Sequence, residues 1–127
     1  MSTPSAIRVA ASFLKQAAFT PEAQIILDHM GGYRRIAVML GIGSRVGYAY
    51  YNLTGAHGPG VGFTFPNKHS SKGNCCEIKL DVGSDTYVMS FFRVTVSGKQ
   101  LIRKIDDVYS DSLVEIFEHQ TGLFLRF

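Results

Sequence analysis

The chain has 127 residues, a net charge of +3, 46% hydrophobic residues and only 18% charged ones. That length suits one domain able to bury roughly two-thirds of its unfolded surface, and the composition excludes a disordered chain. No apolar run approaches the ~18–20 residues needed to cross a bilayer. The first twenty residues, with Arg8 and Lys15 inside an alanine-rich stretch, lack the order of a secretory signal, so a cytoplasmic protein is expected. Cys75 and Cys76 are then expected as reduced thiols on opposite faces of a strand, which argues against a shared metal or a simple disulfide.

In chain order, Thr3-Pro4 reads as a helix start, and Ile7, Ala10, Ala11, Leu14 and Ala18 follow helical spacing. Thr20-Pro21-Glu22 repeats the start signal, Ala23, Ile26, Leu27 and Met30 form an apolar stripe, and Gly31-Gly32 ends it. The N-terminal quarter is therefore two short helices, or one helix broken near Phe19. Short β-type runs follow at residues 36–40, 48–53 and 61–65, punctuated by glycines, and residues 67–74 read as an exposed flexible loop.

The pattern then becomes a meander. Cys76, Ile78, Leu80 and Val82 alternate with Glu77, Lys79 and Asp81, predicting a strand with one solvated face. Residues 86–97 predict a central strand, Ser97-Gly98-Lys99 a tight turn, and residues 100–106 the return. Ser112 and Glu115 have the spacing of a capping box; Leu113, Ile116 and Phe117 form the apolar side of a helix that Thr121-Gly122 ends. Leu123, Phe124, Leu125 and Phe127 are expected to fold back onto the core. Together these elements predict an α+β fold. It comprises two short N-terminal helices, an antiparallel β-meander of five to six strands, and a C-terminal amphipathic helix packed on the sheet. Residues 1–127 form a single domain, with 1–20 a loosely docked extension.

Catalytic and metal signatures are weak. Gly41-Ile42-Gly43 with Gly47 imitates a dinucleotide loop. That chemistry needs a following helix and an acid about twenty residues on, yet no acid occurs between Asp28 and Glu77. A hairpin is the better reading of these glycines. His29, His57, His69 and His119 have no ligand spacing, and pairing of His57 with Cys76 has little in its favour. Among the late acids, Asp111 and Glu115 already have helix-start positions. The chain is read as a non-enzyme with no cofactor and no metal.

The least ordinary feature is the acid-free window from His29 to Cys76, which holds Arg34, Arg35, Arg45, Lys68 and Lys72. Tyr33, Tyr48, Tyr50, Tyr51, Phe63 and Phe65 interleave with these cations, the composition of a surface where cations follow phosphates and rings stack on bases. Alternating aromatics filling a core, under scattered surface cations, is the competing explanation. The expected nucleic-acid contacts are Arg34, Arg35, Arg45, Tyr48, Tyr50, Lys68 and Lys72.

Several short segments carry a family resemblance: Met30-Gly31-Gly32, Ile36-Ala37-Val38-Met39, Phe63-Thr64-Phe65-Pro66, Lys72-Gly73-Asn74, Glu77-Ile78-Lys79-Leu80 and Asp85-Thr86-Tyr87-Val88. Val108-Tyr109-Ser110-Asp111-Ser112-Leu113, then Phe117, then Thr121-Gly122-Leu123 are the most specific. In their order and spacing they resemble a family of small proteins encoded by tailed bacteriophages, prophages and mobile elements, over residues 24–127. Tyr33-Arg34-Arg35 departs from that pattern, where the family has an Asn–basic–aromatic run, and the stretch 41–60 is longer and richer in glycine. The resemblance implies a phage or mobile-element setting in the host cytoplasm. The expectation is thus a small accessory protein that binds nucleic acid through a basic-aromatic face. The alternative is a protein-binding module, such as an inhibitor of a host defence system. The low charged fraction also allows a homo-oligomeric or partner-covered face.

Overall fold

A computed structural model describes residues 19–43, 47–54 and 59–125. The expected first helix, before residue 19, lies outside them. Helix α1 (Pro21–His29) starts as its sequence dictates: Thr20 is extended, its hydroxyl accepts the Ala23 N–H, and Pro21 occupies the first turn. Its buried side chains are Ala23, Ile26 and Leu27.

Residues 36–40 are not a strand. They belong to helix α2 (Tyr33–Leu40), whose buried positions Tyr33, Ile36 and Leu40 recur every three or four residues. A strand would have buried Val38 together with Ile36 and Leu40, but Val38 is 80% exposed. The apolar alternation in Ile36-Ala37-Val38-Met39-Leu40 fits both periods, and docking against α1 selects the helical one. Gly41, at φ +83°, closes α2 in the left-handed conformation, and its N–H donates to Ala37. Gly41 therefore ends a helix, while the Gly43 N–H donates to the Tyr48 carbonyl at 2.7 Å.

Five antiparallel strands follow in simple order: β1 (Tyr50–Leu53), β2 (Gly60–Thr64), β3 (Cys75–Asp81), β4 (Thr86–Thr95) and β5 (Gly98–Val108). The β4–β5 turn falls on Val96 and Ser97, one residue earlier than expected, because Thr95 pairs with Gly98. One register row reads Phe63, Cys76, Phe91, Arg103; the neighbouring row on the other face reads Gly62, Glu77, Ser90, Lys104. The ladder between β4 and β5 shifts twice, and at one shift Asp107 takes a positive φ of 57°.

The final helix, α3 (Leu113–Thr121), follows a 3-10 turn over Ser110–Ser112. The expected capping box is not formed. Ser112 already lies in the helical region, at φ −103° and ψ −4°, and its side chain makes no capping bond. The stop signal does hold: Gly122 is left-handed and its N–H donates to the Glu118 carbonyl. The chain then turns back, and the Leu125 N–H donates to Glu118 Oε2 at 2.8 Å. Phe117 is the knob that joins helix to sheet, with its ring 5.8 Å from Phe63, 5.4 Å from Phe65 and 6.4 Å from Phe91. All four rings are fully buried, each contributing about 2–3 kcal/mol by leaving water. The fold is α+β, with α1, α2 and α3 sharing one core with the Phe63–Phe91 face of the sheet.

Candidate nucleic-acid interface

Of the seven residues expected to contact nucleic acid, one is buried. Tyr50 is corrected outright: it is 1% exposed, its ring packs against Phe19 and Phe63, and its hydroxyl donates to the Tyr33 carbonyl at 2.5 Å. It fills the core and cannot stack on a base. Arg34 is exposed on α2, where its Nε donates to the Tyr33 hydroxyl and its guanidinium lies 5.6 Å from that ring. Arg35, one residue on, donates to the Leu125 carbonyl at 3.1 Å. Lys68 and Lys72 are exposed in the loop after β2, and Tyr48 is half-buried before β1. Arg45 lies outside the described residues. The loop carrying the two lysines is tied down, since the Asn67 amide donates to both Gly73 and Thr121.

A different set of cations is brought together. Residues 86–105 contain Arg93, Lys99, Arg103 and Lys104 and no acid, and the structure folds that stretch into the β4–β5 hairpin. The Asn74 side chain grips Val94, accepting its N–H at 2.8 Å and donating to its carbonyl at 3.0 Å. That double bond is the last link between the β3 side and β4. Beyond it the hairpin continues through the Thr95–Gly98 pair and the Val96-Ser97 turn as a short two-stranded arm, with the Arg93–Gln100 and Val94–Lys99 pairs at its root. Arg93 Nη2 donates to Gln100 Oε1 at 3.2 Å, and every residue from Arg93 to Leu101 is exposed. Sequence reasoning passed over this arm because Asp106, Asp107 and the later acids turn the net charge of residues 81–127 to −2. A shorter window ending at Ile105 would have found it.

At the root of the arm, on the face opposite the helices, a chain of hydrogen bonds crosses the sheet. The Tyr51 hydroxyl donates to Glu77 Oε2 at 2.8 Å and lies 3.1 Å from Cys75 Sγ. Because the phenol proton goes to Glu77, the thiol is the donor to Tyr51. Lys99 Nζ completes the chain, donating to the same Glu77 oxygen while passing 4.2 Å from the Phe92 ring centroid. Glu77, expected on a solvated face, is therefore buried, and Gly62 leaves room for the Tyr51 ring. Burial raises the Tyr51 phenol far above its ordinary pKa, with Cys75 and Glu77 adding to it. Burial likewise raises both thiols, Cys76 the more strongly. Cys75 and Cys76 are free, on opposite faces as expected, and held protonated, which makes them poor nucleophiles.

Elsewhere His29, Asp85 and Ser110 line one shallow cleft with Tyr87 and Tyr109. Among the described residues no hydrogen bond joins the three, so the residue types of a hydrolytic triad are present without its geometry. Nor do the described residues contain a group of three or more His, Cys, Asp or Glu able to hold a metal ion, or a helix long and apolar enough to cross a membrane. Comparisons of the chain with protein-family models, with curated proteins and with solved structures give no match.

Proposed function

We propose that this chain is a small non-enzymatic accessory protein of a bacteriophage or mobile element that binds nucleic acid in the host cytoplasm, with the β4–β5 hairpin as its contact. One observation carries the reading: a projecting two-stranded arm and its root hold four exposed cations and no acid from residue 86 to 105. Cations on such an arm meet phosphates, and a two-stranded ribbon has the width that a major groove admits. Arg93, Gln100, Thr95 and Ser97 supply donors and acceptors around its tip. The phage or mobile-element setting is supported by the sequence resemblance alone.

Fluorescence anisotropy with labelled single-stranded and duplex oligonucleotides, at low and moderate salt, tests the reading. Binding should weaken with salt, and Arg93→Ala with Lys104→Ala should lower the salt slope by about one per lost phosphate contact. Arg34→Ala with Lys68→Ala should leave it nearly unchanged. Absence of binding at low salt overturns the proposal. Protein binding is the second reading, favoured by the outer edge of β5, which pairs with no strand among the described residues.

A further inference from the structure

At the end of the sheet away from the arm, a cleft of about 200 Å³ lies where α1, the β3–β4 turn and the segment after β5 meet. Asp85, Tyr87 and Tyr109 line it, together with His29, Leu80 and Ser110. Leu80 pairs with Tyr87, and Tyr87 pairs with Val108, so the ladder carries Tyr109 to the same recess. The His29 ring stands edge-on to Tyr87 at 6.4 Å on the α1 side. Asp85 is held by its turn: its N–H donates to the Asp81 carbonyl at 2.8 Å, and the Ser84 and Thr86 hydroxyls on either side of it share a hydrogen bond of 2.7 Å. Its side chain is exposed and makes no ion pair among the described residues. Tyr109 leaves 64% of its surface open to solvent.

Charge and size choose the ligand. The three segments that supply the lining, residues 28–30, 80–88 and 106–111, contain six aspartates and neither lysine nor arginine. Lys79, the nearest lysine in sequence, points to the opposite face of the sheet from Leu80 and Tyr87. A cation entering the cleft therefore meets a carboxylate and aromatic faces, and an anion is repelled. The volume falls below the ~300–1,000 Å³ of sites that enclose a whole cofactor or drug-sized molecule, so the cleft takes a head group. A guanidinium meets both conditions: its planar fork bonds a carboxylate through two N–H groups and stacks on an aromatic ring, whereas an ammonium is a compact point charge. We propose that this cleft recognises a guanidinium group, with Asp85 as its carboxylate partner and Tyr109 as its stacking face. The Tyr87 phenol, raised chiefly by burial, is raised further by Asp85, so that carboxylate already acts across the cleft. Two sources carry the group: a small free guanidine, such as agmatine, and an arginine side chain of another protein. The site owes nothing to the arm, which lies at the Thr95–Gly98 end of the β4–β5 pair.

The test is an NMR titration of the full chain at about pH 7.5, where an ordinary imidazole is mostly neutral and does not oppose the ligand. The probes are agmatine, a capped Gly-Arg-Gly peptide, and the same peptide with lysine or with citrulline, the neutral isostere, in place of arginine. Agmatine or the arginine peptide should shift the amides of residues 84–87 and 109–110 and the Tyr109 ring. Agmatine binding at least as tightly as the peptide identifies a free guanidine as the source; a peptide at least tenfold tighter identifies a protein arginine. Asp85→Asn should weaken binding at least tenfold. Asparagine also tolerates the left-handed backbone at this position, so the fold should stay intact by circular dichroism. Tyr109→Leu should weaken binding about threefold or more. No shift at millimolar ligand, equal shifts with lysine or citrulline, or unchanged binding by Asp85→Asn overturns the proposal. Arg93→Ala should bind the guanidinium as the parent does. An arm that binds no oligonucleotide would sink the proposed function and leave this site standing.

Discussion

Lys99 and Glu77 belong to strands that are not neighbours, yet the ammonium reaches the carboxylate at 2.5 Å by crossing the Phe92 ring of the strand between them. Glu77 is buried and also accepts from Tyr51, so one carboxylate ties β1, β3 and β5 together over β4. The Lys99 side chain remains 43% exposed, which limits what the ion pair itself contributes. The larger contribution is the satisfaction of a buried acid.

A double-mutant cycle measures this. Lys99→Met and Glu77→Gln should each lower stability in urea by about 1–2 kcal/mol, with a coupling of about 1 kcal/mol between them. Zero coupling would mean that the two groups only lie side by side. The same cycle bears on the arm. Glu77→Gln releases Lys99, so oligonucleotide affinity should rise in that variant at low salt.

Tyr50→Phe separates core from contact. The phenol's bond to the Tyr33 carbonyl is buried, so its loss should cost about 1–2 kcal/mol. Oligonucleotide affinity should stay within twofold of the parent. A large loss of affinity in a folded Tyr50→Phe protein would return this residue to the interface.

The parts of the fold legible in the sequence were those where one period or one stop signal stood alone. The Thr20-Pro21 start and the Gly122 stop are local, and the structure keeps both; the run Cys76 to Leu80 is a strand as expected, though without a solvated face at Cys75 and Glu77. Residues 36–40 read as a strand because five consecutive apolar residues satisfy both periods, and only packing on α1 decides between them. Ser112 and Glu115 have capping-box spacing, but the 3-10 turn before α3 rotates the serine out of reach. Tyr50 was misplaced for a related reason. Aromatic interleaving cannot distinguish rings that line a core, such as Tyr50 and Phe63, from rings that face solvent. The Cys75–Tyr51–Glu77–Lys99 chain joins residues up to 48 positions apart, and no local pattern announces it.

Two glycines of β2 are set by close approach rather than by turn geometry. A Cβ on Gly60 would lie 2.0 Å from the Ile78 carbonyl oxygen, and one on Gly62 would lie 2.3 Å from the Tyr51 ring. Gly60→Ala meets backbone and should cost about 3 kcal/mol or prevent folding. Gly62→Ala meets a side chain that can swing away, so it should fold with a smaller loss. The swing takes Tyr51 from Glu77, and Lys99→Met should then cost more in Gly62→Ala than in the parent. Equal stability losses for the two glycine variants in urea would contradict this assignment.

Alkaline titration tests the buried phenols. Burial raises both Tyr50 and Tyr51 well above the ordinary tyrosine value, and Tyr87 is raised as well, chiefly by burial. The unfolded chain releases these protons near pH 10, whereas the folded chain retains them. Above that pH the unfolded state binds fewer protons, so stability falls as pH rises. The contribution of these phenols is therefore fully present below about pH 10 and declines above it, towards the raised folded-state values. In a spectrophotometric titration of the six tyrosines, Tyr50 and Tyr51 should ionise only together with loss of the sheet signal in circular dichroism. Tyr51→Phe should remove part of that late phase and shallow the alkaline fall in stability. Reversible ionisation of all six near pH 10 with the sheet intact would show that the two hydroxyls reach water, and the hydrogen-bond chain built on Tyr51 would fall with it.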